Sequence, residues 1–263
     1  MGTRIRGARE RRPTPFVVFT TPRSGSSWLI DLLDSHPRIA AYAELFIVRD
    51  RTPPDYGSRD VPRFEATLDE LRGNGRATLL ARRMRYLSRL FDRRPGVRAV
   101  GFKLMYLQAS AHTGLVPYLA ARRARVVHLV RANALEQIVS YEAAVARNLF
   151  RARRGDAVPE VTVRLDAPAL PARLENMESE VVHARRTLAR YRLPALEIVY
   201  ERLAEATEGE LARVVSFLGV EPVNWQTASP LVGASRVPRA ELIENIDEVA
   251  AALAGTRFAW MLD

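Results

Sequence analysis

Phe16-Val-Val-Phe-Thr-Thr21 is a short run of β-branched and aromatic residues that ends abruptly in Pro22-Arg-Ser-Gly-Ser26. An apolar run of this length, without alternation, suits a strand buried on both faces, as in a parallel sheet. The turn leads straight into residues 27–35, where Trp28, Leu29, Leu32 and Leu33 share a helical stripe. His36-Pro37 stops that helix, because the residue before a proline is pushed out of the helical region. A buried strand, a tight turn and a helix make one βα unit, and neighbouring parallel strands must then be joined by crossovers.

The rest of the chain repeats that alternation. Further strands are expected at 97–105, 124–130 and 196–200, with a short one before Glu44. Helices are expected at 77–91, 115–123, 133 to about 148, 174–191, 207–218 and 246–253. The polar stretches 49–75 and 151–171 read as long surface loops, the first carrying a short helix near 63–72. The fold class that follows is α/β: a single P-loop-like domain with a central, mostly parallel sheet flanked by helices on both faces. It should span 16–263, behind a flexible basic lead-in over 1–15, and no repeat or linker divides it.

The Gly/Ser turn is an anion site by construction. Backbone N–H groups at a helix start lack intrahelical partners, and the helix dipole is positive there. Ser24, Ser26 and Ser27 add hydroxyls, Gly25 lets the backbone close on a ligand, and Arg23 adds a planar cation suited to phosphate or sulfate oxygens. The loop is shorter than Gly-x4-Gly-Lys-Ser/Thr and has no Lys, which disfavours an ATP- or GTP-driven transferase. A plain βα turn capped by Ser is the alternative.

Bulk properties exclude other classes. The chain has no Cys, so disulfides, zinc–thiolate sites and cysteine nucleophiles are absent. No apolar run approaches the roughly 18 residues of a membrane span, and the N-terminus lacks a signal peptide's apolar core, so the cytoplasm is the default location. The net charge of +10 invites nucleic acid as a partner. The basic residues are spread along the chain, however, and an anionic small molecule accounts for them equally well.

Thr21-Pro22-Arg23-Ser24-Gly25-Ser26-Ser27-Trp28-Leu29 resembles the 5′-phosphosulfate loop of sulfotransferases that use 3′-phosphoadenosine-5′-phosphosulfate (PAPS). Arg23, where the cytosolic type has Lys, is similar to the carbohydrate enzymes and to the bacterial type acting on glycolipids and Nod factors. The resemblance implies that Arg23 touches the 5′-phosphosulfate and that Trp28 lies near the adenine; packing of its own helix is the other role open to Trp28. The family's second signature is a strand ending in Arg with a Ser in the next helix, both holding the 3′-phosphate. Arg131 and Ser140 match it here, nine positions apart and one more than in the cytosolic type. Tyr200-Glu-Arg-Leu203 resembles the family's Tyr-Glu-Asp-Leu segment, in which the Tyr meets the nucleotide. Residues 244–256 resemble the end of the bacterial type. The Arg-Lys-Gly element of the cytosolic type is missing, and Arg236 and Arg239 are the candidates for its role.

Two residues carry the chemistry that the resemblance implies. Lys103, the only Lys in the chain, matches a strand Lys near the transferred sulfonate. Glu44 matches the general base of the bacterial and carbohydrate types, since Met105 stands where the cytosolic type has its catalytic His. A surface Lys and an Arg-paired structural carboxylate are the bland readings of the two. The expected activity is PAPS-dependent O-sulfotransfer to a small-molecule or glycan acceptor (a carbohydrate, glycolipid or secondary metabolite), with no metal and no nucleic acid. Peripheral membrane contact through 82–94 and a homodimer are compatible with the sequence. A non-catalytic nucleotide-binding protein and a P-loop-like kinase are the competing classes.

Overall fold

The computed structural model describes residues 12–48, 63–66, 76–92, 95–150, 158–223 and 239–262. In chain order the strands are β1 (Thr14–Thr20), β2 (Ile39–Glu44), β3 (Phe46–Val48), β4 (Phe64–Ala66), β5 (Ala99–Met105), β6 (Arg125–Val130) and β7 (Ala195–Val199). The helices are α1 (Ser26–Asp34), α2 (Arg76–Leu90), α3 (Tyr106–Ala111), α4 (Leu115–Ala121), α5 (Ala134–Ala146), α6 (Leu170–Arg190), α7 (Tyr200–Glu205), α8 (Thr207–Phe217), α9 (Arg239–Leu242) and α10 (Ile246–Leu253), with a closing 3-10 turn at Ala259–Leu262.

Five strands form one sheet in the order β2-β5-β1-β6-β7, and its pairings are parallel. The central β1 buries Phe16, Val17, Val18 and Phe19, which is why its sequence does not alternate. Val17, Phe19, Val100, Phe102, Leu104 and Val126 pack on one face against Leu79 and Leu87 of α2, Leu115 and Leu119 of α4, and Ala184 and Leu188 of α6. Phe16, Val18, Ala41, Val127, Leu129 and Ile198 pack on the other against Leu29 and Leu33 of α1 and Leu211, Val214 and Val215 of α8. A third apolar cluster joins α5 and α6 to α10 and Phe258. Asn245 ties that cluster to the chain, its Oδ1 accepting from the Leu165 N–H at 3.0 Å and its Nδ2 donating to the Leu165 carbonyl at 2.9 Å.

The α/β expectation holds, with local corrections. Phe64–Ala66 is a strand paired with Phe46–Val48, not part of a helix over 63–72. α6 begins at Leu170, so Pro171 opens the helix rather than closing a loop. Tyr200 starts α7 instead of ending β7, and α3 follows β5 without a break. Most of the basic N-terminal segment, most of 49–75 including Tyr56, residues 151–157, and Arg236 lie outside the described residues, as does the Arg239 side chain. Among the described residues, no helix is long and apolar enough to cross a membrane.

Candidate active site

β1 and α1 meet at the Gly/Ser turn at the carboxyl edge of the sheet, where open α/β sheets bind ligands. The turn needs two left-handed residues, Arg23 at φ 62° and Gly25 at φ 83°. Gly25 is required twice over. A Cβ there would lie 2.3 Å from the Tyr200 ring, in a backbone region that L residues rarely adopt. Gly25 is also the N-cap of α1, so no side chain caps this helix, and its first turn holds no acidic residue. The helix start is therefore electropositive and unopposed by its own sequence.

The three serines of the turn differ. Ser24 is fully buried, and its hydroxyl lies 2.6 Å from Thr20 Oγ1 and 2.9 Å from the Thr21 carbonyl. Thr20 Oγ1 in turn donates to the Leu129 carbonyl at 2.7 Å, so Ser24 staples the turn to β1 and β6 rather than facing its mouth. Ser26 is buried in the first turn of α1. Ser27 faces β5, its Oγ accepting from Lys103 Nζ at 3.1 Å.

α5 clamps the turn from the other side. Gln137 Nε2 donates to Thr21 Oγ1 at 2.7 Å and to the Pro22 carbonyl at 2.5 Å. One turn on, Ser140 Oγ accepts from Arg23 Nε at 3.0 Å, so the nine-residue spacing from Arg131 does bring Ser140 to the loop. Arg131 donates to the Arg23 carbonyl at 3.2 Å and to Glu136 at 2.5 Å. Its guanidinium also sits 4.7 Å from the Tyr200 ring centroid, and its Nε is buried without a hydrogen-bond partner. Arg131 is thus paired with Glu136 on one side, while its Nε, buried and unbonded, leaves one donor unspent. Trp28 is half-buried, edge-on to Tyr200 with centroids 6.3 Å apart, and it also packs on the apolar cluster beneath. Arg23, Gly25, Trp28, Arg131, Ser140 and Tyr200 thus converge on one place.

Lys103 and Glu44 form the second half. Lys103 is 3% exposed and Glu44 6%. Lys103 Nζ lies 2.9 Å from Glu44 Oε1 while donating to Ser27. The sheet creates this pair through a bulge. Tyr42 pairs with Phe102 and Glu44 with Lys103, leaving Ala43 as an extra residue. In a regular register Ala43 would oppose Lys103 and Glu44 would turn to the opposite face. The bulge therefore turns Glu44 onto the side of Lys103 and of the Gly/Ser turn. A buried ion pair contributes little to stability against a hydrophobic isostere, and breaking it by removing one partner is costly. Gln108, which sequence reasoning passed over, donates through Nε2 to Glu44 Oε2 at 2.8 Å.

Other groups missed at the sequence level are scaffolding. Glu201 accepts from the Ala132 and Asn133 N–H groups at 3.0 and 3.1 Å, which fixes the bend after Arg131. Asn133 caps α5 through the Glu136 N–H and reaches the Met261 carbonyl at 3.0 Å. The histidines take ordinary places. His36 Nδ1 accepts from the Arg38 N–H at the helix stop, His112 and His128 are buried, and His183 is exposed. Among the described residues, no cluster of three His, Cys, Asp or Glu could hold a metal ion.

A model of the sulfotransferase family matches residues 15–226, the stretch that carries every residue of this site. The chain belongs to the sulfotransferase family. This sulfotransferase is also similar to nodulation protein H of Rhizobium tropici, 26% identical over 94% of this chain and 92% of that one. Nodulation protein H of Rhizobium meliloti is 24% identical, with 94% of each chain covered. Among solved structures it resembles a sulfotransferase from Alicyclobacillus acidocaldarius, at 21% identity, 96% coverage of both chains and a TM-score of 0.44. A mouse sulfotransferase solved in complex with PAP matches at 16% identity and a TM-score of 0.42, over 81% of this chain and 60% of that one.

Proposed function

We propose that this sulfotransferase moves a sulfuryl group from PAPS to the hydroxyl of a small-molecule or glycan acceptor. The observation that carries the reading is the Ser27–Lys103–Glu44 chain, which joins an anion-binding helix start to a buried carboxylate. The donor's 5′-phosphosulfate lies on the N–H groups at the start of α1 with Arg23 beside it. Arg131 and Ser140 hold the 3′-phosphate, and Trp28 and Tyr200 flank the adenine.

Sulfuryl transfer is an in-line displacement, close in form to phosphoryl transfer, with charge spread over the equatorial oxygens and building on the leaving oxygen. The acceptor oxygen forms the new S–O bond as the bridging S–O bond to the phosphate breaks, and Glu44 takes the acceptor's proton. Lys103, held between Ser27 and Glu44, presents its ammonium to the sulfonate as charge develops.

Glu44→Gln tests the reading. Turnover, followed as transfer of labelled sulfate from PAPS to a panel of glycan acceptors, should fall at least a hundredfold. PAP affinity by calorimetry should stay within a few-fold. Normal turnover in that variant would remove Glu44 from the base role, and no transfer by the unaltered protein to any acceptor would favour a non-catalytic nucleotide-binding protein.

A further inference from the structure

We infer that Gln108 is a positioning residue for the base, setting both the orientation and the ionisation of the Glu44 carboxylate; this rests on the reading of Glu44 as the base. Gln108 is the third residue of α3, the helix that leaves β5 directly after Lys103-Leu-Met105. Its Oε1 accepts from the Met105 N–H at 3.1 Å. A backbone N–H can only donate, so the amide oxygen must face Met105 and the amide nitrogen must face Glu44. Nε2 then donates to Glu44 Oε2 at 2.8 Å, while Lys103 approaches Oε1 at 2.9 Å.

The carboxylate is therefore gripped at both oxygens, by a cation from β5 and by a neutral donor from the helix that follows it. With one oxygen on each partner, the carboxyl plane cannot swing freely. A base must meet the acceptor hydroxyl along a defined line, and a displacement of an ångström is enough to cost rate. The donated hydrogen bond also favours the ionised form, which is the form that accepts a proton. The helix start gives Gln108 a bland role as the N3 residue of a capping box, where Gln or Glu serves equally well. That equivalence separates the two roles, because Glu at 108 keeps the acceptor for the Met105 N–H but presents a carboxylate instead of a donor to Glu44.

The experiment uses full-length protein carrying Gln108→Glu, Gln108→Leu or Glu44→Gln, each checked for its melting temperature and its PAP affinity. Steady-state rates are then measured from pH 5 to 9. In Gln108→Glu the helix start survives, kcat at neutral pH should fall roughly ten- to hundredfold, as for one lost hydrogen bond to an ionised group, and the acidic limb of the kcat profile should move to higher pH. KM for PAPS and the Kd for PAP should stay within about twofold, because the side-chain hydrogen bonds of Gln108 go to Met105 and Glu44 rather than to the Gly/Ser turn. Gln108→Leu should show the same kcat loss, and if it fails to fold, Gln108→Glu decides alone. Full kcat with an unmoved acidic limb in Gln108→Glu, alongside an inactive Glu44→Gln, would overturn the role of Gln108 and leave Glu44 as the base. Full activity in Glu44→Gln would overturn both.

Discussion

Arg23 and Ser140 are 117 positions apart in the chain, yet Arg23 Nε donates to Ser140 Oγ at 3.0 Å. Arg23 makes that contact from a left-handed backbone, at φ 62°. One guanidinium thus links the turn proposed for the 5′-phosphosulfate to the helix proposed for the 3′-phosphate. Its Nη1 also donates to the Phe150 carbonyl at 2.5 Å, which fixes its reach.

Removing that link should weaken PAP binding. Arg23→Ala should reduce affinity at least a hundredfold and Arg131→Ala comparably, as each deletes charge-assisted hydrogen bonds worth about 1.5–3 kcal/mol apiece. Ser140→Ala should lose less, about tenfold, because it takes away a neutral hydroxyl. Titration calorimetry with PAP measures all three. Wild-type affinity in Arg23→Ala, with an unchanged melting temperature, would detach the turn from the nucleotide.

Gly25 and Tyr200 should behave as a coupled pair. Gly25→Ala places a methyl 2.3 Å from Tyr200 Cδ2 at a φ of 83°, so both the ring and the backbone resist it. The left-handed conformation alone costs about 1–2 kcal/mol for a non-glycine residue. The variant should melt several degrees lower. In the double variant with Tyr200→Ala the steric part vanishes and the backbone part remains. The double loss should therefore be smaller than the sum of the single losses. Additive losses in urea unfolding would mean that the two residues do not touch.

Much of the fold, and part of the site, could be read without coordinates. β1, β5 and β6 were legible because strands buried on both faces leave mostly apolar runs that do not alternate. What was illegible depends on register or on distant partners. The bulge at Ala43 exists only relative to Phe102 and Lys103, so nothing local says which way Glu44 points. Gln108 carries no mark beyond its place three residues after β5. β4 has too few residues for any period; Phe64 is held by its rings' neighbours, Phe46 at 5.4 Å and Tyr86 at 5.6 Å. Pro171 misled because proline both ends and begins helices, and here it begins one.

Acid should destabilise the fold through its buried histidines. His112 is packed against Phe46 and Phe64, with both ring nitrogens unpartnered, and burial beside Arg83 lowers its pKa from 6.5 to about 4. Burial also lowers His128, against the opposing pull of Glu197. For such groups the unfolded chain takes up the proton first, so stability is complete above about pH 7 and falls as pH drops from 6.5 towards 4. The His112 share is about 3 kcal/mol at the acid end. His112→Phe keeps the ring in its aromatic cage and removes the titration, so urea midpoints at pH 7, 5.5 and 4.5 should fall less steeply than in the unaltered protein. An identical slope would place the acid sensitivity elsewhere.

Trp28 supplies an optical test of the nucleotide's position. The chain has three Trp residues. Trp28 is half-buried beside the Gly/Ser turn, and Trp260 is half-exposed on the closing 3-10 turn. If the adenine lies against Trp28 and Tyr200, PAP should change the emission of Trp28 directly, by stacking and by excluding water from the indole. Titrating PAP should then give a saturable fluorescence change whose midpoint equals the calorimetric Kd. Trp28→Phe should abolish most of that change and lower affinity only about three- to tenfold, because a second aromatic face remains in Tyr200. Trp260→Phe should leave the change intact. A signal that survives Trp28→Phe in full would assign Trp28 to helix packing alone and move the adenine away from α1.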